Sequence, residues 1–285
     1  KVFEKITFMK ILITGSSGFL GINLLNALIP LNCEIITIGR NKSQYKISNC
    51  HHIECDLIEL KKFENDLIKF DPDILIHLAW FGIPELNKKN SEINKKMTLS
   101  LLKVIDKLKS LKKIISTGSC LEYKNRNKEC FENDEIESDE PFPNAKNFTM
   151  NSIIEKSNEL EIDYYWLRVF YLFGIHQKET SLIPSIIKSL IKRQSPEINN
   201  PFDKKDYISV RDTVQIIIKI IFVNFQKGIY NVGSGSTYNP IEISKIIENF
   251  MYGSFELTNQ IVLAKKIKPQ SNFLANIDKL KTQYD

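Results

Sequence analysis

The chain has 285 residues, 42% hydrophobic and 26% charged, enough to bury one sizeable core or one core and a smaller lobe. Its net charge of +5 favours an anionic ligand, yet the lysines are spread without a dense basic run or aromatic interleaving, which argues against a nucleic-acid face. No apolar run reaches membrane-spanning length, and the odd set Cys33, Cys50, Cys55, Cys120 and Cys130, without CxxC spacing, suggests neither a zinc site nor a disulfide framework. A reducing, cytoplasmic setting with no bound metal and no membrane partner follows. The stretch before Met9 is too short and too charged for a secretory signal, and Met9 is a natural candidate for the start.

Met9 to Gly21, MKILITGSSGFLG, organises the rest. Ile11-Leu12-Ile13 reads as a buried parallel strand, and Ile22 to Leu28, closed by Pro30, as an amphipathic helix. Between them Gly15 makes the tight turn, Gly18 lets the backbone approach a diphosphate, and Gly21 lets the helix pack on the strand. The helix N-terminus offers free N–H groups and a positive dipole end to the anion. The spacing is G-x-x-G-x-x-G rather than G-x-G-x-x-G, so the glycines alone also fit a βα turn that holds no ligand.

Glu34 to Gly39 reads as a second strand that ends at Arg40. An acid there would bind the adenosine ribose hydroxyls, whereas a base accommodates a 2′-phosphate, so Arg40 points to NADP over NAD. His52 to Cys55 is a third strand, followed by Asp56-Leu57 where an adenine amino group could bind, and Lys61 to Phe70 is helical. Asp73 to Ala79 is a fourth strand, and this alternation marks a doubly wound parallel α/β sheet. Ser91 to Lys109 is a long amphipathic helix, and a fifth strand from Lys113 leads into Ser116-Thr117-Gly118-Ser119, hydroxyls at a carboxyl edge where such sheets bind ligands.

Tyr123 to Pro143 reads as loop, Asn144 to Leu160 as helix and Tyr164 to Phe173 as a sixth strand. Beyond it, short elements alternate: helix at Leu182 to Ile191, loop at Pro196 to Asp206, strand at Tyr207 to Val210, helix at Thr213 to Phe222, strand at Gly228 to Val232, and helix at Ile241 to Phe250. The pattern divides the chain into a dinucleotide-binding domain at 9–173, with a return segment near 204–233, and a smaller C-terminal substrate lobe at 174–203 and 234–285.

TGSSGFLG (14–21), CDL (55–57), DILIHLA (73–79), STGSCLEY (116–123), LRVFYLFG (167–174), KKDYISVRD (204–212) and YNVGSG (230–235) stand in one order over nearly the whole chain. In that order they resemble the extended short-chain dehydrogenase/reductases, the NAD-dependent epimerase/dehydratase family acting on nucleotide sugars. With Arg40 after strand two, the chain is most similar to NADPH-dependent 4-keto-sugar reductases of the abequose synthase kind. The resemblance implies a Rossmann fold, a nucleotide diphosphate sugar in the second lobe, a role in surface polysaccharide synthesis, and a homodimer through the helices at 91–109 and 144–160. It implies a cofactor surface of Gly15, Ser17, Gly18, Phe19, Leu20, Arg40, Asp56, Leu57, Leu78, Ala79 and Lys146. Substrate contacts fall on Ser119, Cys120, Arg193 and Lys205, with His176 and Lys204 nearby.

The family's catalytic trio is Ser or Thr, Tyr and Lys, the last two spaced Y-x-x-x-K. Ser119 and Lys146 match, but the tyrosine falls on Phe142, giving F-x-x-x-K. A phenyl ring has no proton to give, and a positioned acid or base is worth about 10² to 10⁴ in rate, so impaired turnover with intact binding is expected. The replacement is open to three explanations, a substitution made to trap a complex, a natural loss, or another register, of which the pairing of Ala145 with Thr149 loses both residues. A 4,6-dehydratase would carry Asp-Glu after the hydroxyl, where Cys120-Leu121 stand. The alternatives are a nucleotide-sugar C4 epimerase with bound NAD and a non-catalytic dinucleotide-binding sensor or scaffold.

Overall fold

A computed structural model describes residues 8–41, 49–264 and 271–283. The chain runs β1 (Met9–Thr14), α1 (Phe19–Leu28), β2 (Cys33–Gly39), β3 (Cys50–Glu54), a 3-10 turn at Leu57–Phe63, α2 (Glu64–Phe70), β4 (Ile74–His77), α3 (Lys88–Ile105) and β5 (Lys113–Ser119). A 3-10 turn at Cys120–Glu122 leads to β6 (Glu129–Cys130), α4 (Pro141–Glu159), β7 (Asp163–Val169), β8 (Tyr171–Phe173) and α5 (Leu182–Ile191). The remainder is β9 (Lys204–Ser209), α6 (Val210–Phe222), β10 (Gly228–Val232), β11 (Thr237–Tyr238), α7 (Pro240–Tyr252), α8 (Glu256–Ala264), β12 (Asn272–Ala275) and α9 (Asp278–Lys281).

Seven strands form a parallel sheet in the order β10-β7-β5-β4-β1-β2-β3. The doubly wound sheet expected from the sequence is therefore present. Its run of aliphatic residues is explained by cover on both faces. Ile11 and Ile13 of β1 pack with Leu24 and Leu28 of α1 and Ile217 of α6, whereas Leu12 between them packs with Leu101 of α3 and Ile153 of α4. The chain order reverses between β1 and β4, and the crevice at their carboxyl ends is where such sheets accept ligands.

A second, smaller sheet is built around β9. Residues of β9 pair with β11, β12 and β8, and β12 pairs with β6. Fully buried Asp206 joins its parts, accepting from Ser234 N, Gly235 N and Ala275 N at 2.7, 3.0 and 3.2 Å. Among the described residues, no helix is long and apolar enough to cross a membrane.

Four boundaries differ from the sequence pattern. The apolar run Tyr164 to Phe173 is not one strand: Phe170 N–H donates to Val232 O, and β8 leaves the large sheet to pair with β9. The loop at 123–143 contains β6, and α4 begins at Pro141 because proline in the first helical turn has no N–H to leave unsatisfied. The helix of Lys61 to Phe70 opens as the 3-10 turn from Leu57, capped by Asp56 Oδ1, which accepts from Ile58 N at 3.0 Å. β9 starts at Lys204, inside the segment read as loop.

The turn between β1 and α1 has no spare room. A Cβ at Gly21 would stand 2.1 Å from Gly15 O and 2.7 Å from Ser16 Cα, both backbone atoms. Gly21→Ala must push α1 off the sheet and is expected to lower the unfolding free energy by about 1–3 kcal/mol in a denaturant titration.

Candidate active site

The crevice beside the switch point is a cleft of about 500 Å³. Gly15 turns the chain at its floor with φ +77, and a Cβ there would meet Ala79 N at 2.5 Å and Leu78 C at 2.7 Å. Gly18 is the N-cap of α1 and brings no side-chain oxygen to its first N–H groups, which leaves those donors to an anion. Arg40 stands exposed at the end of β2, its guanidinium carbon 4.8 Å from the Phe81 ring centroid.

Of the cofactor residues expected from the sequence, Gly15, Ser17, Gly18, Arg40, Asp56, Leu57, Leu78 and Ala79 line this cleft. Phe19, Leu20 and Lys146 are not among its lining residues. Trp80, Phe81, Ile93 and Met97 are among the other residues of the wall. Trp80 follows directly on the β4 pattern, but an aromatic after a strand carries no sequence signal for a site wall.

α4, which carries Phe142 and Lys146, packs on β5, which ends at Ser119; Ser119 lines neither this cleft nor the second one described below. Lys146 is 5% exposed and its Nζ donates to Thr117 O at 2.8 Å, two residues before Ser119. The indole of Trp80 covers it, with Nζ 3.7 Å from the ring centroid, and Phe142 stands edge-on to Trp80 at 5.6 Å. Burial pushes the Lys146 ammonium down to about 7, against a smaller upward pull from Glu122. The Ser119 hydroxyl accepts from Leu121 N at 3.1 Å, which leaves its own proton free to be donated.

Neighbouring candidates have structural roles. His77 is 3% exposed, shares a hydrogen bond of 2.7 Å with Thr14 Oγ1, and is pushed by burial to about 3, so its ring is neutral. Cys120 is 4% exposed and pushed by burial up to about 12, too high for a thiol acid at neutral pH.

A second cleft of about 460 Å³ opens over the small sheet, lined by Tyr171, Gln177, Ile198, Asn199, Asp203, Lys205 and Tyr207 among others. Lys205 Nζ reaches Ser271 Oγ at 2.7 Å. Arg193 lines neither cleft: it is exposed, with φ +56, and stacks on Tyr252 with its guanidinium carbon 3.4 Å from the ring centroid. His176 also lies outside both linings.

A parallel sheet in this order, with a glycine turn at its switch point, defines a Rossmann-type α/β protein. The NAD dependent epimerase/dehydratase family matches residues 11–233, and the chain belongs to that family. It is 23% identical to CDP-abequose synthase of Yersinia pseudotuberculosis, over 96% of this chain and 97% of that protein. Among solved structures, UDP-glucose 4-epimerase of Thermotoga maritima with UDP-glucose superposes with a TM-score of 0.78 at 19% identity, over 96% of this chain and 92% of that one. The Bordetella bronchiseptica enzyme WbmG in complex with NAD gives 0.79 at 17% identity, over 99% and 89%. At these identities the superpositions speak for the fold.

The lysine makes the stability of the chain depend on pH. Lys146 is held near 7 in the fold against an ordinary 10.5, so the unfolded chain binds more protons between those values and stability rises with pH across that window. Lys146→Met is expected to raise the melting temperature near neutral pH by about 4 °C, with the gain shrinking toward about pH 10. Thermal scans at the two pH values check it.

Proposed function

We propose that the chain binds NADP in the first cleft and a nucleotide diphosphate sugar in the second, as a 4-keto-sugar reductase scaffold whose proton transfer is impaired by Phe142. The observation that carries this reading is the seating of Lys146 Nζ on Thr117 O, two residues before Ser119 at the carboxyl end of β5, in a family member with a cradle a Cβ would fill at Gly15. The N–H groups of α1 and the Gly15–Gly18 turn would hold the diphosphate, and Asp56 and Leu57 the adenine. Arg40 would pair with a 2′-phosphate, which favours NADP; the family name and the NAD bound to WbmG leave room for NAD in the same cleft.

A bound nicotinamide dinucleotide supplies the hydride. The Ser119 hydroxyl donates to the substrate carbonyl oxygen and orients it. Lys146 would donate to the nicotinamide ribose hydroxyls. Phe142 fills the position of a phenol and excludes water without offering a proton. Lys205 faces the diphosphate of the sugar nucleotide. The CDP-abequose synthase relative supports a 4-keto-sugar as substrate and surface polysaccharide synthesis as the setting. The α3 and α4 faces would form a homodimer. Phe142 also favours a second reading, a binding protein that keeps both ligands and has lost the chemistry.

Two measurements test this. Phe142→Tyr should raise turnover of a nucleotide 4-keto-sugar with NADPH at least about tenfold, the low end of a positioned acid. No rise would mean that position 142 is not the proton-transfer position. Arg40→Ala should weaken NADP binding by about tenfold while NAD binding changes little, as read by calorimetry.

A further inference from the structure

Behind Ser119 lies a buried polar cluster that the proposed chemistry leaves unassigned. Glu122 is fully buried, and its Oε1 accepts from Ser119 N at 2.7 Å. Its Oε2 accepts from Trp166 Nε1 at 3.0 Å and from Arg168 Nε at 2.8 Å. Arg168 is itself fixed, with Nη1 donating to Glu132 O at 2.9 Å and its guanidinium carbon 4.7 Å from the Tyr123 ring centroid. The cluster has no slack at Gly118, where a Cβ would stand 2.3 Å from Trp166 Nε1 and 2.4 Å from Glu122 Oε1. Lys146 Nζ lies 5.9 Å from the ring centroid of the same Trp166.

We propose that Glu122 is the positioning residue of this site: it anchors the main chain that presents the Ser119 hydroxyl, and it is the counter-charge that holds the Lys146 ammonium among aromatic rings. Lys146 hydrogen bonds a neutral carbonyl, and its other close neighbours are the rings of Trp80, Phe142 and Trp166. Ring faces attract a cation, but a buried ammonium also needs an anion within reach to keep its charge. The titratable and charged groups toward Lys146 are His77 of β4, neutral through burial, and Glu122 after β5, with Arg168 of β7 beyond it. Among the described residues Glu122 is thus the anion available, and Arg168 and Trp166 fix where it points.

The inference rests on Ser119 and Lys146 being the working groups, and its test reads Lys146 with no ligand present. The chain's two tryptophans, Trp80 and Trp166, both flank Lys146, so intrinsic fluorescence reports its protonation. A transition near pH 7 is expected in the unaltered protein and is expected to vanish in Lys146→Met. Glu122→Gln keeps an acceptor for Ser119 N and removes the charge, so the midpoint should fall by at least about one pH unit, whereas Glu122→Asp should hold it within about half a unit. Where Glu122→Gln does not fold, Arg168→Gln carries the test with the opposite sign. It removes the competing cation and should move the midpoint up. No transition in the unaltered protein, an unmoved midpoint in Glu122→Gln, or no rise in Arg168→Gln overturns the proposal. Failure of any nucleotide sugar to bind would sink the functional reading and leave this titration standing.

Discussion

The site depends on how closely α1 approaches the end of β1. The helix begins directly over the Gly15 carbonyl, to which Gly18 N donates at 3.1 Å, and Ile22 N closes the first helical turn on Gly18 O at 2.9 Å. A side chain at position 21 would part the two elements, and one at position 15 would collide with the Leu78–Ala79 backbone across the crevice. The same helix reaches the second lobe: Asn23 Nδ2 donates to Ile175 O at 3.0 Å, in the loop after β8. One short turn therefore sets both the floor of the first cleft and the position of a loop near the second.

The opposite wall is an aromatic box around a charge. Trp80, Phe142 and Trp166 exclude water from Lys146, which is what depresses its proton affinity. A phenol in place of the Phe142 ring would share that dry environment with a cation one helical turn away, the arrangement that makes a tyrosine acidic.

Much of this was legible in the sequence because it rests on local rules. Period-two burial with helices on both faces makes β1, β2 and β4 near-continuous aliphatic runs, and glycines at 15, 18 and 21 mark a turn that must be tight. Ser119, Phe142 and Lys146 were singled out by spacing along one helix and one strand end, and α4, which carries the last two, packs on β5. What escaped depends on distant partners. The apolar run breaks after β7 because Tyr171 to Phe173 leave the large sheet to pair with Tyr207 to Ser209 of β9, distant partners that no local pattern encodes. Arg193 was placed near the sugar nucleotide from its position in the second lobe; it lines neither cleft, and its left-handed backbone and stacking on Tyr252 are not encoded by any local pattern. Glu122 stands in the STGSCLEY stretch with nothing local to single it out, and its partners Trp166 and Arg168 arrive from β7.

The central claim is that the glycine turn grips a nicotinamide dinucleotide. Native mass spectrometry of the purified chain titrated with NADPH tests it most directly, with Gly15→Ala run alongside as a folded control verified by circular dichroism. The account predicts one dinucleotide per chain for the unaltered protein and none for Gly15→Ala. Equal binding by both, or binding by neither, would contradict it.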